Sequence, residues 1–262
     1  MNNILLTIKE MGDKFLTTEL AGEVFSSLIV IGIEVILFVI IGIMAMVHDP
    51  LKKPKGLLLV GEIGVNFFDN LAEGLMGPRF RGFGGYIMAI AIYLFLAFIF
   101  GLTGLPSPIT YLAVPLSLGL STFVLIHATS IKYTKWRYFK RYIEPVPFFL
   151  PINLISMWAP LLSLTLRLFG NAIAGWTLMT MVYYALQNLS GMMFNWIQTS
   201  GPVEVSKVFL APIPAAILHM YFDLFSGFIQ TTVFISLTMI FVGQEAPEEE
   251  EYQLDTKKKG GK

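Results

Sequence analysis

The chain has 262 residues, of which 55% are hydrophobic and only 14% charged, with a mean hydropathy of +0.69. A water-soluble domain of this size carries about 25% charged residues, so the composition excludes an ordinary soluble protein and points to the bilayer. The zero net charge gives no basic footprint for nucleic acid, and the lack of cysteine excludes disulfides, thiol catalysis and cysteine-ligated metals.

Residues 1–22 mix charged and apolar positions and form an N-terminal segment without the basic start and short apolar core of a cleavable signal peptide. Residues 23–47 form an apolar run long enough to cross a bilayer as a helix. His48-Asp49-Pro50 stops it, and Lys52, Lys53 and Lys55 follow. Residues 52–79 differ in kind. Glu62, Asn66, Asp69 and Glu73 recur at spacings of four, three and four, which puts them on one helical face. That pattern predicts an amphipathic surface helix that does not cross.

Residues 83–132 hold two further spanning runs, about Tyr86–Leu105 and Tyr111–Ile131, joined at the turn signal Pro106-Ser107-Pro108. The basic cluster Lys132, Lys135, Arg137, Lys140 and Arg141 follows, with Trp136, Tyr138 and Tyr142 suited to an interfacial belt. Residues 146–243 contain two long apolar segments, about Pro151–Leu189 and Val208–Val242. Each exceeds an upright crossing, so both are expected to tilt strongly. Residues 244–262 hold an acidic run and three consecutive lysines, and are expected to form a disordered, solvated tail.

The expected fold is an all-α membrane protein with about five transmembrane helices and one amphipathic surface helix, the last two helices long and strongly tilted. The positive-inside rule puts Lys52–Lys55 and Lys132–Arg141 in the cytoplasm. The N-terminus then lies outside, and the surface helix and C-terminus lie inside.

Two intramembrane charges carry the chemistry. Arg167 stands about 16 residues into its apolar segment, roughly 24 Å along a helix and far from either end. A charge there costs at least a few kcal/mol and marks a functional site unless it snorkels or is paired structurally. Ser163 and Asn171, four residues to either side, extend a polar stripe, and Gly170, Ala174 and Gly175 allow a second helix to approach. On the last segment Asp223 and Gln230 are two turns apart, with Ser226 and Gly227 between them. An acid at that register, opposite the arginine segment, suits a proton relay, although a satisfied structural acid gives the same pattern. Glu34 is a lone acid in the first spanning run. His48, His127 and His219 have no metal-ligand spacing, and Gly82-Phe83-Gly84-Gly85 lacks the context of a phosphate loop. No metal or other cofactor is expected.

The string Ser163-Leu164-Thr165-Leu166-Arg167-Leu168-Phe169-Gly170-Asn171, followed by Ala174-Gly175, resembles the signature of the a subunit of F-type ATP synthases. Pro151-Ile152-Asn153-Leu154-Ile155, Gly104-Leu105-Pro106 and Gly227-Phe228-Ile229-Gln230 are similar to the same family, so the resemblance covers about residues 52–242. It implies a membrane stator subunit that is not itself an enzyme. Its two half-channels would pass protons, or sodium ions, by a rotating c ring, with Arg167 as the essential charge between them. Gln230 would lie near Arg167, and Asp223 in the outer half-channel. The resemblance also implies b subunits of the peripheral stalk as partners, a plasma-membrane location, and residues 146–243 as a hairpin facing the ring.

Three positions depart from the family pattern. Trp176 stands where many relatives have an ionisable residue, Met157 where many have a glutamate, and Glu34 has no assigned role. Asn153, Ser156 and water could then line the inner path. The rival readings are a free-standing ion-coupled transporter or channel using Arg167 and Asp223, and an intramembrane enzyme. The first calls for inverted repeats and the second for a nucleophile–base pair or metal cluster, and the sequence displays neither.

Overall fold

The computed structural model describes residues 22–49, 52–135, 148, 150–194, 210 and 212–246. The N-terminal segment, Trp136, Arg137, Tyr138, Lys140, Arg141, Tyr142 and the charged tail lie outside the described residues. All regular elements among the described residues are helical: α1 (Gly22–Val47), α2 (Leu57–Met76), α3 (Gly84–Ile99), α4 (Ala113–Thr134), α5 (Leu150–Phe194), α6 (Pro212–His219) and α7 (Ser226–Gln244). A six-residue π-helical turn, Met220–Phe225, joins α6 to α7, and short 3-10 turns flank the 104–107 loop. Five helical stretches are long and apolar enough to cross a membrane, and α2 is not among them.

The surface chemistry is that of a membrane protein. On α1 the buried residues are Ser26, Ser27, Val30 and Glu34, whereas Phe25, Leu28, Ile33, Val35 and Ile36 are exposed. Lipid solvates the apolar side chains, and the polar ones turn inward to the protein. Ser27 Oγ meets Tyr93 Oη of α3 at 2.7 Å.

The 45 residues of α5 extend roughly 65–70 Å, about twice the ~30 Å of hydrocarbon available. An upright crossing therefore cannot accommodate it. Pro160 lies within this helix and removes the bond that would run back to the Ser156 carbonyl. The last crossing, Pro214–Gln244, runs through the π-turn for 31 residues, roughly 45 Å.

Helix α7 is the centre of the packing. Its buried Phe234, Ile235, Met239 and Val242 join Ile87, Leu94, Ala97 and Phe98 of α3 and Leu164 and Leu168 of α5 in one core. Gly227 brings α7 close to α3, since a Cβ there would stand 2.7 Å from Phe98 Cβ. The Thr122 and Thr238 hydroxyls pair at 3.3 Å between α4 and α7, and Phe123 of α4 stacks on Trp158 of α5 with centroids 4.9 Å apart.

Asp69 links the surface helix to the next crossing. Its Oδ1 accepts the backbone N–H of Gly82 at 3.1 Å and of Gly84 at 2.8 Å, capping the start of α3. Gly82 takes φ +95°, a conformation that suits glycine and turns its N–H toward the carboxylate. Asp69→Ala leaves both N–H groups without this acceptor, at a cost of about 1–3 kcal/mol. Tryptic cleavage after the exposed Arg81 is expected to speed up by ~10-fold or more, measured as cleavage rate in intact membranes.

Candidate functional site

The sequence of α5 divides it into two faces. Leu161, Leu164, Thr165 and Leu168 are buried, and Leu161 and Thr165 lie against Gly119 of α4. This stripe fixes the rotation of the helix. The opposite face, with Ser163, Leu166, Gly170, Asn171, Ile173 and Ala174, is exposed. Arg167 stands on the border, half-buried. Its Nη2 donates back to Ser163 Oγ at 3.4 Å, and among the described residues no carboxylate lies within ion-pair distance of it. Arg167 thus presents a fixed cation beside small residues on a face that no helix among the described residues covers.

One turn further on, Asn171 Nδ2 donates to Gln230 Oε1 at 2.8 Å and joins α5 to α7. Gln230 is only 5% exposed, and its Nε2 has no partner among the described residues. The expectation that Gln230 lies near Arg167 takes a particular form here: Asn171 receives the glutamine, and the arginine bonds along its own helix.

A cleft of about 640 Å³ leads away from this pair. Asn171, Gly175, Trp176, Thr180 and Tyr183 of α5 form one wall, and His219, Asp223 and Ser226 form the other. Glu23, Leu105, Pro106 and Ser107 line its far end. The start of α1 meets the 104–107 loop there, since a Cβ on Gly22 would come within 3.1 Å of Pro106. Asp223 sits on the π-turn, a feature that recurs at functional sites. Its Oδ2 accepts from His219 Nδ1 at 2.6 Å, and His219 Nε2 meets Tyr183 Oη at 2.9 Å. With Nδ1 carrying the hydrogen for the carboxylate, Nε2 of the neutral ring accepts from the tyrosine hydroxyl.

The structure thus places two separate hydrogen-bonded pairs, Arg167–Ser163 and Asn171–Gln230, one turn apart along α5, with Asn171, Asp223 and Ser226 lining the adjoining cleft. Asn153 and the exposed Ser156 lie earlier on α5, apart from that cleft. Glu34 is 8% exposed on the inner face of α1, with its Oε1 unpartnered among the described residues. His219, Tyr183 and Glu23 are additional members of the site. Counted only against metal-ligand spacings, His219 gives no signal, whereas its position four residues before Asp223 is the pattern that finds it.

Residues 25–243 match the family described as ATP synthase A chain. The chain belongs to this family. It is 30% identical over 233 residues to ATP synthase subunit a of Mycoplasmoides gallisepticum, covering 82% of this chain and 77% of the relative. It is 29% identical over 253 residues to the subunit a of Limosilactobacillus reuteri, covering 91% of this chain and all of the relative. A 36% identical stretch of 123 residues, 47% of this chain and 34% of the relative, matches a subunit a of Propionigenium modestum named as sodium ion specific. The protein is therefore a multi-pass, ion-translocating and non-catalytic subunit of an ATP synthase complex. Family membership sets aside the free-standing transporter and the intramembrane enzyme.

The absence of cysteine makes the cleft directly testable. Thr180→Cys, on the cleft wall, is expected to react with a membrane-impermeant thiol reagent ~10-fold or more faster than Leu168→Cys, which is fully buried. Comparable rates at the two positions would mean that water does not enter the cleft.

Proposed function

We propose that this a subunit carries protons past a c ring through two half-channels, with Arg167 as the essential charge that separates them. The observation that carries the reading is the state of Arg167. It is a cation on a spanning helix, without an acidic partner among the described residues, on an exposed face lined by Gly170 and Ala174. A carboxylate on a neighbouring helix can approach such a face closely, and a low dielectric strengthens its attraction to the guanidinium. The attraction favours the ionised carboxylate, so each arriving ring acid releases its proton before it passes.

The outer half-channel is the cleft lined by Asp223, Ser226 and Asn171, which ends one helical turn from Arg167. The inner half-channel follows the first part of α5, with Asn153, Ser156 and Ser163 as its polar groups. Met157 and Trp176 leave these paths without the glutamate and the ionisable residue that many relatives have there, and Asp223 supplies an acid in the outer one. The N-terminus lies outside, whereas α2, Lys52–Lys55 and the C-terminus face the cytoplasm. Residues 146–243 form the hairpin against the ring. The b subunits of the peripheral stalk are partners, and the complex resides in the plasma membrane. Sodium is the second reading, favoured by the name of the Propionigenium modestum relative.

Arg167→Ala is expected to lower ATP-driven ion pumping in inverted vesicles by ~100-fold or more while the complex still assembles. Pumping at the normal rate in an assembled complex would show that the arginine is structural.

A further inference from the structure

The path has a second protonatable group that the family pattern does not locate. Where many relatives have an ionisable residue after the Ala-Gly pair, this chain has Trp176, whose side chain cannot accept a proton. The cleft nevertheless contains a hydrogen-bonded line of three titratable side chains from two helices: Tyr183 of α5, His219 at the end of α6, and Asp223 on the π-turn. The distances of 2.9 and 2.6 Å are those of real hydrogen bonds, the second short enough to be charge-assisted. Trp176, Thr180 and Asn171 border the same space.

We infer that Tyr183, His219 and Asp223 form a proton relay in the cleft, with His219 replacing the ionisable group absent at position 176. This rests on the reading of Asp223 as a group of the ion path. The bookkeeping of protons closes. Asp223 gives its proton inward, toward Asn171 and the ring, and becomes a carboxylate. It then takes the Nδ1 proton of His219, while Nε2 takes the hydroxyl proton of Tyr183, and the phenol oxygen is reprotonated from cleft water. Each group loses one proton and gains one, and one proton moves from the cleft to the inner end. The imidazole is left as its other tautomer. Its side chain is 29% exposed, so exchange with cleft water restores the first.

His219, the last residue of α6, and Asp223, four residues on in the π-turn, share one face opposite Tyr183 across the cleft. The titratable groups facing this relay are few. Glu23 of α1 lines the mouth and Tyr183 is the contribution of α5, while the residues of α3 and the 101–110 segment that line the cleft carry no ionisable group.

The test uses the assembled complex in inverted vesicles and measures ATP-driven pumping across pH 6–9. His219→Asn retains an N–H donor at the distance of Nδ1 and cannot pass a proton. It is expected to reduce pumping ~10-fold or more and to change the shape of the pH–rate profile. His219→Gln, which also cannot titrate, serves as the second variant and is expected to behave alike. Tyr183→Phe is expected to give a smaller loss. ATP hydrolysis by the attached head verifies assembly. A purely structural histidine would leave the profile shape unchanged in both variants, and that result would overturn the relay, as would pumping within twofold of wild type. Arg167→Ala in parallel separates the two claims. If it abolishes pumping and His219→Asn does not, only the relay falls. If Arg167→Ala pumps normally, the half-channel reading falls and the relay with it.

Discussion

An arginine without an acidic partner among the described residues, inside a helix long and apolar enough to cross a membrane, is the constraint around which this fold is arranged. Its cost is at least a few kcal/mol, and the surrounding described residues do not offset it with a carboxylate. What they do is fix its direction. The buried stripe of Leu161, Leu164, Thr165 and Leu168 locks the rotation of α5, and the Asn171–Gln230 bond fixes its register against α7. The guanidinium is left on the border of an exposed face, where it donates to Ser163. A positive charge so held suits a partner that comes and goes, as the proposed passage of ring carboxylates requires.

The scaffold that holds this geometry obeys bilayer rules. Lipid offers no hydrophobic drive for helix association, so close packing and hydroxyl pairs take over. Gly227 against Phe98, Gly119 against Thr165 and the Thr122–Thr238 pair are contacts of this kind. Helix α7 lies at their centre and carries the glutamine at the same time, so packing and polar chemistry share one element. The surface helix contributes through Asp69, whose carboxylate organises the turn into α3. Lengths near twice the hydrocarbon thickness commit α5 to an inclined path, and an inclined helix exposes a long side to any partner beside it.

Much of this could be read from the residues. Apolar runs and the charges between them identify the crossings and the surface helix, because twenty apolar residues in a row have few other uses. Arg167, Asn171, Asp223 and Gln230 stand out because polar groups are rare in such runs, and their spacing reveals the shared faces. The pairing of Asn171 with Gln230 was hidden, since it depends on how two tilted helices cross. The π-turn was hidden too, because one extra residue in a turn leaves no trace in an apolar pattern. His219 and Tyr183 look like ordinary members of aromatic-rich segments until the structure sets them across a cleft. The four-residue step from His219 to Asp223 is the one local clue. Asp69 reads as part of a polar face, and its work as a cap depends on a turn thirteen residues ahead.

The account stands or falls on what Arg167 faces in the assembled complex. A structure of that complex in membrane lipid, with side chains resolved, measures it directly. The account predicts the guanidinium turned toward the ring, at the height of the ring's ion-binding carboxylate and within hydrogen-bonding reach of it at the closest approach. A guanidinium paired instead with a fixed acid of a stalk subunit, on a face turned away from the ring, would contradict it.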